Sequence, residues 1–314
     1  MIEHRHLNGV YAAALTPLQP DFSPALNDIP PFLSFLAGRG CHGVLLMGTT
    51  GEGPSFTPAD RLAVLRAALE VRQAHPDIRL LLGTGTPSLE ETIQLTRAAF
   101  DMGVDGVVVL PPYYFRKAGD EGLFAWFGQV LRRAVPTGGA LLGYHIPSLT
   151  GVPLSFDLLA RLKDAYPDQF AGIKDSSADA EHARSLGWRF GADLPVFSGT
   201  DSLFSLALES GAAGCITALA NLRSPDSRLV WEAFQCKGAD PTAAARLAAA
   251  QSRLEAARAV MDRYPPNPPL YKALLARLHP FARWPVCPPL LPMPGELVER
   301  ALAEFLAEVE ALDR

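Results

Sequence analysis

Eight short apolar runs recur along residues 9–219, each separated from the next by a stretch of helical periodicity, and this alternation restricts the fold more than any other property of the chain. The runs are GVYAAALTP (9–17), GVLLMG (43–48), RLLLGTG (79–85), GVVVLPP (106–112), ALLGYHIP (140–147), FAGIKDSS (170–177), PVFSGTD (195–201) and GCITAL (214–219). They are almost continuously hydrophobic, the pattern of strands covered on both faces. Between them lie amphipathic segments such as 57–75 and 88–103. Both open on a Ser or Thr cap, with acidic residues in the first turn.

Strands alternating with helices in this way predict an α/β protein with a parallel sheet. Eight units roughly thirty residues apart fit a closed (β/α)8 TIM barrel better than a doubly wound open sheet, which is the alternative. After the eighth run the pattern becomes wholly helical. Residues 1–238 are expected to form the barrel and 239–314 a C-terminal helical extension packed on it. That extension comprises an Ala-rich helix over 240–263, a Pro-rich break at 264–269, PLYKALLARLH at 269–279, a second Pro-rich stretch at 287–294 and a last helix. In the last helix Leu297, Val298, Ala301, Leu302, Phe305, Leu306 and Val309 make one apolar stripe.

Several function classes lose support here. A net charge of −5 leaves no basic footprint for nucleic acid. No run approaches the eighteen or more apolar residues of a membrane span, and MIEHRHLNGV has no apolar core of a secretion signal, so a cytoplasmic location is expected. Cys41, Cys215, Cys236 and Cys287 lie far apart with no paired spacing, against a zinc site or a disulfide framework. The seven histidines form no HExxH, and His4 and His6 are expected in a frayed terminus, not as ligands.

Barrel chemistry collects where strands end. The sixth run carries Lys174, one of five lysines among 28 basic residues. A free lysine with a pKa near 10.4 has only about one amine in a few thousand unprotonated at pH 7. Burial in an apolar strand disfavours the charged form, and a neutral amine attacks carbonyls. Gly172 points to the same side of the strand, so an inward face would have room beside the lysine stem. The second run ends in GTTGEG (48–53), a glycine-rich turn suited to a carboxylate or phosphate but lacking the spacing of a nucleotide motif. The fourth ends in PPYYFR (111–116) and the fifth in YHIP, which brings Tyr113, Tyr114 and Tyr144 to strand ends. A lysine nucleophile needs a proton carrier, and Tyr144 with Thr49 and Tyr114 offers one.

GTTGEG, PPYYFR, YHIPSLTG, GIKDSS and SGTD, in this order and spacing, resemble the N-acetylneuraminate lyase/dihydrodipicolinate synthase superfamily of class I Schiff-base pyruvate aldolases. The likeness spans essentially the whole chain. It implies that Lys174 forms a Schiff base with the keto carbon of pyruvate or another 2-oxo acid, with Tyr144 as general acid/base. Thr49 and Tyr114 would complete the relay, Tyr114 coming from a neighbouring subunit. Thr50 and the backbone of Gly48 and Gly51 would hold the substrate carboxylate. His145, Leu149, Gly199, Asp201, Ser202 and Ile216 are the remaining candidate substrate contacts. A homotetramer built as a dimer of dimers is implied, with no metal and no dissociable cofactor.

Departures from the resemblance bear on the substrate. Dihydrodipicolinate synthases carry an arginine for the aldehyde's carboxylate where Leu149 stands, and an apolar side chain cannot pair a carboxylate. The Gly-Pro of GEGPSF replaces residues that shape a lysine-feedback pocket. Ser202 stands where sialate lyases have an acid, and His145 where an asparagine is usual. The expected activity is therefore a lyase acting on a 2-keto-3-deoxy sugar acid or related 4-hydroxy-2-oxo acid. The alternatives are a keto-deoxy sugar acid dehydratase, then dihydrodipicolinate synthase, then a non-catalytic barrel that binds a 2-oxo acid.

Overall fold

The computed structural model describes residues 4–310, with side chains as far as Glu308. All eight predicted runs contain strands: β1 (Gly9–Ala13), β2 (Gly43–Leu46), β3 (Arg79–Gly83), β4 (Gly106–Val109), β5 (Leu141–His145), β6 (Phe170–Asp175), β7 (Val196–Ser198) and β8 (Gly214–Thr217). They are ordered β1 to β8 and close into a barrel, which decides between barrel and open sheet in favour of the (β/α)8 fold. Every strand residue except Arg79 is buried, so the continuous apolar runs do reflect cover on both faces. The strands stop earlier than the runs. In the first four runs the polar residues lie just past the strand, whereas Tyr144, His145, Lys174, Asp175, Ser198 and Thr217 belong to the strand ends themselves.

The chain divides into two compact units. One joins the residues up to Gly9 with Arg79–Ile216; the other joins Val10–Ile78 with the stretch from Thr217 onward. Within the second unit, the helix Ala243–Arg263 packs against Ala220–Gln235 and against Gly295–Glu310. In the last helix Val298, Ala301 and Phe305 are buried, Leu297 and Leu302 half-buried and Leu306 exposed. The stripe is thus narrower than its sequence pattern, and the Val309 side chain lies outside those described. His4 also departs from expectation: His4–Leu7 is a 3-10 turn, with His4 and Leu7 buried.

In the first unit one feature of β6 sets the geometry of the site. β5 and β6 pair as Leu141↔Phe170 and then Leu142↔Gly172, a bulge that leaves Ala171 without an opposite number. An extra residue shifts every later pairing by one. Without it Tyr144 would face Ile173; with it the pairs are Tyr144↔Lys174 and His145↔Asp175. Gly172 has a different task from the one its spacing suggested. A Cβ there would lie 2.1 Å from the Pro195 carbonyl oxygen, so glycine admits the chain entering β7, not the lysine stem.

Candidate active site

Tyr144 and Lys174 are the penultimate residues of adjacent parallel strands and stand in register, so their side chains leave the same face. Both are buried, 4% and 3% exposed. The Lys174 Nζ lies 4.3 Å from the centroid of the Tyr144 ring, an amine set over an aromatic face. A cation there is favoured by the ring quadrupole, and a neutral amine keeps its lone pair beside a phenol that can exchange protons.

His145 and Asp175 form the next pair along and therefore leave the opposite face. The His145 ring stacks on His182 at 4.6 Å with 14° between planes, and Phe156 covers the far side of His182 at 4.9 Å. The Leu154 N–H donates to His145 Nδ1 at 3.0 Å, which fixes the tautomer of a neutral ring. Burial, with the neighbouring His182 adding to it, pushes His145 down to about 4. Asp175 accepts from the Ser177 N–H and hydroxyl at 3.0 and 3.1 Å, yet its burial raises its pKa from the ordinary aspartate value. Among the described residues His145, Asp175 and His182 place potential ligand atoms within 4.8 Å. The two rings lie in near-parallel planes, and one of their four nitrogens already holds a backbone donor.

Beyond β7, the Gly199 N–H donates to the Asp175 carbonyl at 2.6 Å, and a Cβ on Gly199 would meet the Ser176 Oγ at 2.0 Å. Gly199 therefore lets the ends of β6 and β7 close up. Asp201 is buried at the start of a short 3-10 turn, with Ser202 half-buried after it, and Ile216 is fully buried in β8. Leu149 is 59% exposed on the short helix Pro147–Thr150. Tyr114 is 77% exposed and stacks edge-on against Phe115 at 5.3 Å. Within one chain, then, Tyr114 is a surface residue while Tyr144 is buried.

In the second unit, β2 runs into a compact loop. Met47 and Glu52 both adopt left-handed backbone, at φ 53° and 57°. The Glu52 N–H donates to the Thr49 carbonyl and the Gly53 N–H to the Gly48 carbonyl, at 3.1 and 3.0 Å. The Thr16 hydroxyl donates to the Gly51 carbonyl at 2.6 Å. Gly48 and Gly51 are buried, and Thr49 and Thr50 half-buried. Only glycine fits at position 53, where a Cβ would lie 1.9 Å from the Met47 carbonyl oxygen. Sequence reading passed over Glu52 and Lys272, which pair in this unit with both side chains buried. A lysine inside the apolar LYKALL was the available signal.

The sequence pattern of the dihydrodipicolinate synthetase family matches residues 6–303. The chain belongs to that family. It is 39% identical over 300 residues to an uncharacterized DapA-like lyase of Chloroflexus aurantiacus, covering 95% of each chain. It is 33% identical over 306 residues to a 4-hydroxy-tetrahydrodipicolinate synthase of Sorangium cellulosum, covering 97% of each. The crystal structure of dihydrodipicolinate synthase from Agrobacterium tumefaciens superposes with a TM-score of 0.83 at 29% identity, over 98% of this chain and 99% of that one. With this family membership and this fold, the protein is a lyase of the class I aldolase type.

Proposed function

We propose that Lys174 is the Schiff-base lysine of a pyruvate-releasing aldolase that takes a 2-keto-3-deoxy sugar acid or related 4-hydroxy-2-oxo acid. The observation that carries the reading is the register-paired contact of the Lys174 amine with the Tyr144 ring at 4.3 Å. Lys174 Nζ adds to the 2-oxo carbon and water leaves, giving a protonated imine. Tyr144 takes the proton of the C4 hydroxyl as the C3–C4 bond breaks, and an aldehyde departs. The electron pair of that bond becomes an enamine, which is protonated at C3, and hydrolysis frees pyruvate and the amine.

Thr49 and Tyr114 complete the proton relay in this scheme, and Thr50 with the Gly48–Gly51 backbone holds the carboxylate. Tyr114 comes from a neighbouring subunit, consistent with its 77% exposure in a single chain, within a homotetramer that works in the cytoplasm. The exposed, apolar Leu149 supports a distal half without a carboxylate.

Incubating the enzyme with a panel of 2-keto-3-deoxy aldonic acids, and following both pyruvate and dehydration products, tests the substrate class. Pyruvate release from at least one of them is expected. Condensation of pyruvate with aspartate semialdehyde, with no turnover of any panel member, would overturn this reading.

A further inference from the structure

The Met47–Gly53 loop holds two non-glycine residues in left-handed backbone, a conformation that persists only where surrounding contacts over-determine it. The contacts on Glu52 come from the distant end of the chain. Its Oε1 lies 2.6 Å from Lys272 Nζ, with side-chain exposures of 0% and 1%. Its Oε2 accepts from the Cys287 N–H at 2.7 Å. Lys272 Nζ also donates to the Pro285 carbonyl at 2.7 Å. The intervening segment is tied down as well, since the Trp284 Nε1–H donates to Asp28 Oδ2 at 2.8 Å. One carboxylate thus joins the loop after β2 to both the helix Asn267–Leu278 and the irregular stretch after it.

A buried ion pair is a poor source of net stability, because the desolvation of both charges offsets their attraction. Two apolar side chains would fill the same volume at least as favourably. What they would not do is hold the Glu52 backbone left-handed by opposing, directional contacts on both carboxylate oxygens. We infer that Glu52 and Lys272 are positioning residues, and that their ion pair makes the C-terminal region a brace for the loop that receives the 2-oxo acid carboxylate. This rests on the assignment of Thr49, Thr50 and the loop backbone to that carboxylate. Neither residue touches substrate; they act through the loop.

The test measures pyruvate affinity and, separately, the rate at which borohydride traps Lys174 at saturating pyruvate. The double variant Glu52→Gln/Lys272→Met removes both charges together, so neither is stranded. Glu52→Gln alone keeps the side-chain shape and an acceptor for Cys287, and serves as the second variant. Each is first checked for a cooperative melt. In whichever variant folds, pyruvate Kd should rise at least tenfold, while saturated trapping stays within about threefold of the native rate. Native affinity in a folded variant overturns the positioning role. A loss of saturated trapping as large as the loss of affinity also overturns it, because the damage would then reach Lys174. Thr50→Val in the otherwise native chain separates carboxylate binding by the loop from its bracing by the ion pair. If it weakens pyruvate but the folded double variant does not, the carboxylate assignment stands and the brace falls. If Thr50→Val binds pyruvate as tightly as the native chain, the carboxylate assignment fails and takes the brace with it.

Discussion

In the proposed mechanism Tyr144 and Lys174 divide the labour of proton and electron pair, so their variants should fail differently. Tyr144→Phe keeps the ring over the amine and removes only the hydroxyl. Its kcat should fall by roughly 10²–10⁴, the usual contribution of a general acid/base, while pyruvate affinity changes little. Equal losses in both would mean that the phenol binds substrate instead. Lys174 was legible because a scarce residue type stood in an apolar strand. Lys272 stands in equally apolar surroundings, but on a helix, where a long side chain reads as solvent-facing. His145 was legible as unusual, though its direction was not: side-chain direction follows from register, and register is non-local. Burial holds its proton affinity at about 4, far below the imidazole range, so its neutral form adds stability above pH 6.5 that is lost as pH falls toward 4. His145→Asn keeps an acceptor for the Leu154 N–H. Urea denaturation should show the variant losing less stability than the native protein between pH 7 and pH 4.5; equal losses would remove His145 as the cause.

The elements themselves were readable from period and punctuation. Thr57 and Ser88 do cap their helices, accepting from the Asp60 and Glu91 N–H groups. The segment 57–75 is less uniform than its pattern: the α-helix ends at Leu69 and a 3-10 turn Glu70–Gln73 follows. The helix Asn267–Leu278 begins inside the Pro-rich break, since proline in a first turn loses no hydrogen bond. The β6 bulge had no local signature, because a bulge exists only relative to the partner strand. Gly172 offers a test on the other side of β6, where the chain enters β7. Gly172→Ala forces a methyl against the Pro195 carbonyl and should cost about 3 kcal/mol or more, toward the upper end of overpacking effects. Denaturant melts measure this directly; an unchanged midpoint would mean that the strands can separate there freely.

Across the molecule, the alternation of eight runs was enough to indicate the barrel, while closure became visible only in the strand order. The arrangement of subunits belongs to the proposed function and has its own test. If Tyr114 enters a neighbour's site, Tyr114→Phe and Lys174→Ala chains complement each other. A site with a native lysine from one chain and a native phenol from the other is then whole. Mixed and reassembled, the two inactive or weakened preparations should recover activity beyond either parent; activity that merely averages the parents would place Tyr114 outside the site. Schiff-base formation at Lys174 can be read in a single spectrum. The protein is incubated with pyruvate, reduced with borohydride, digested and weighed. One reduced pyruvate adduct is expected on the peptide carrying Lys174 and none on the peptide carrying Lys272, whose amine is held by Glu52. An unmodified Lys174, or an adduct on Lys272, would contradict the proposed role of Lys174.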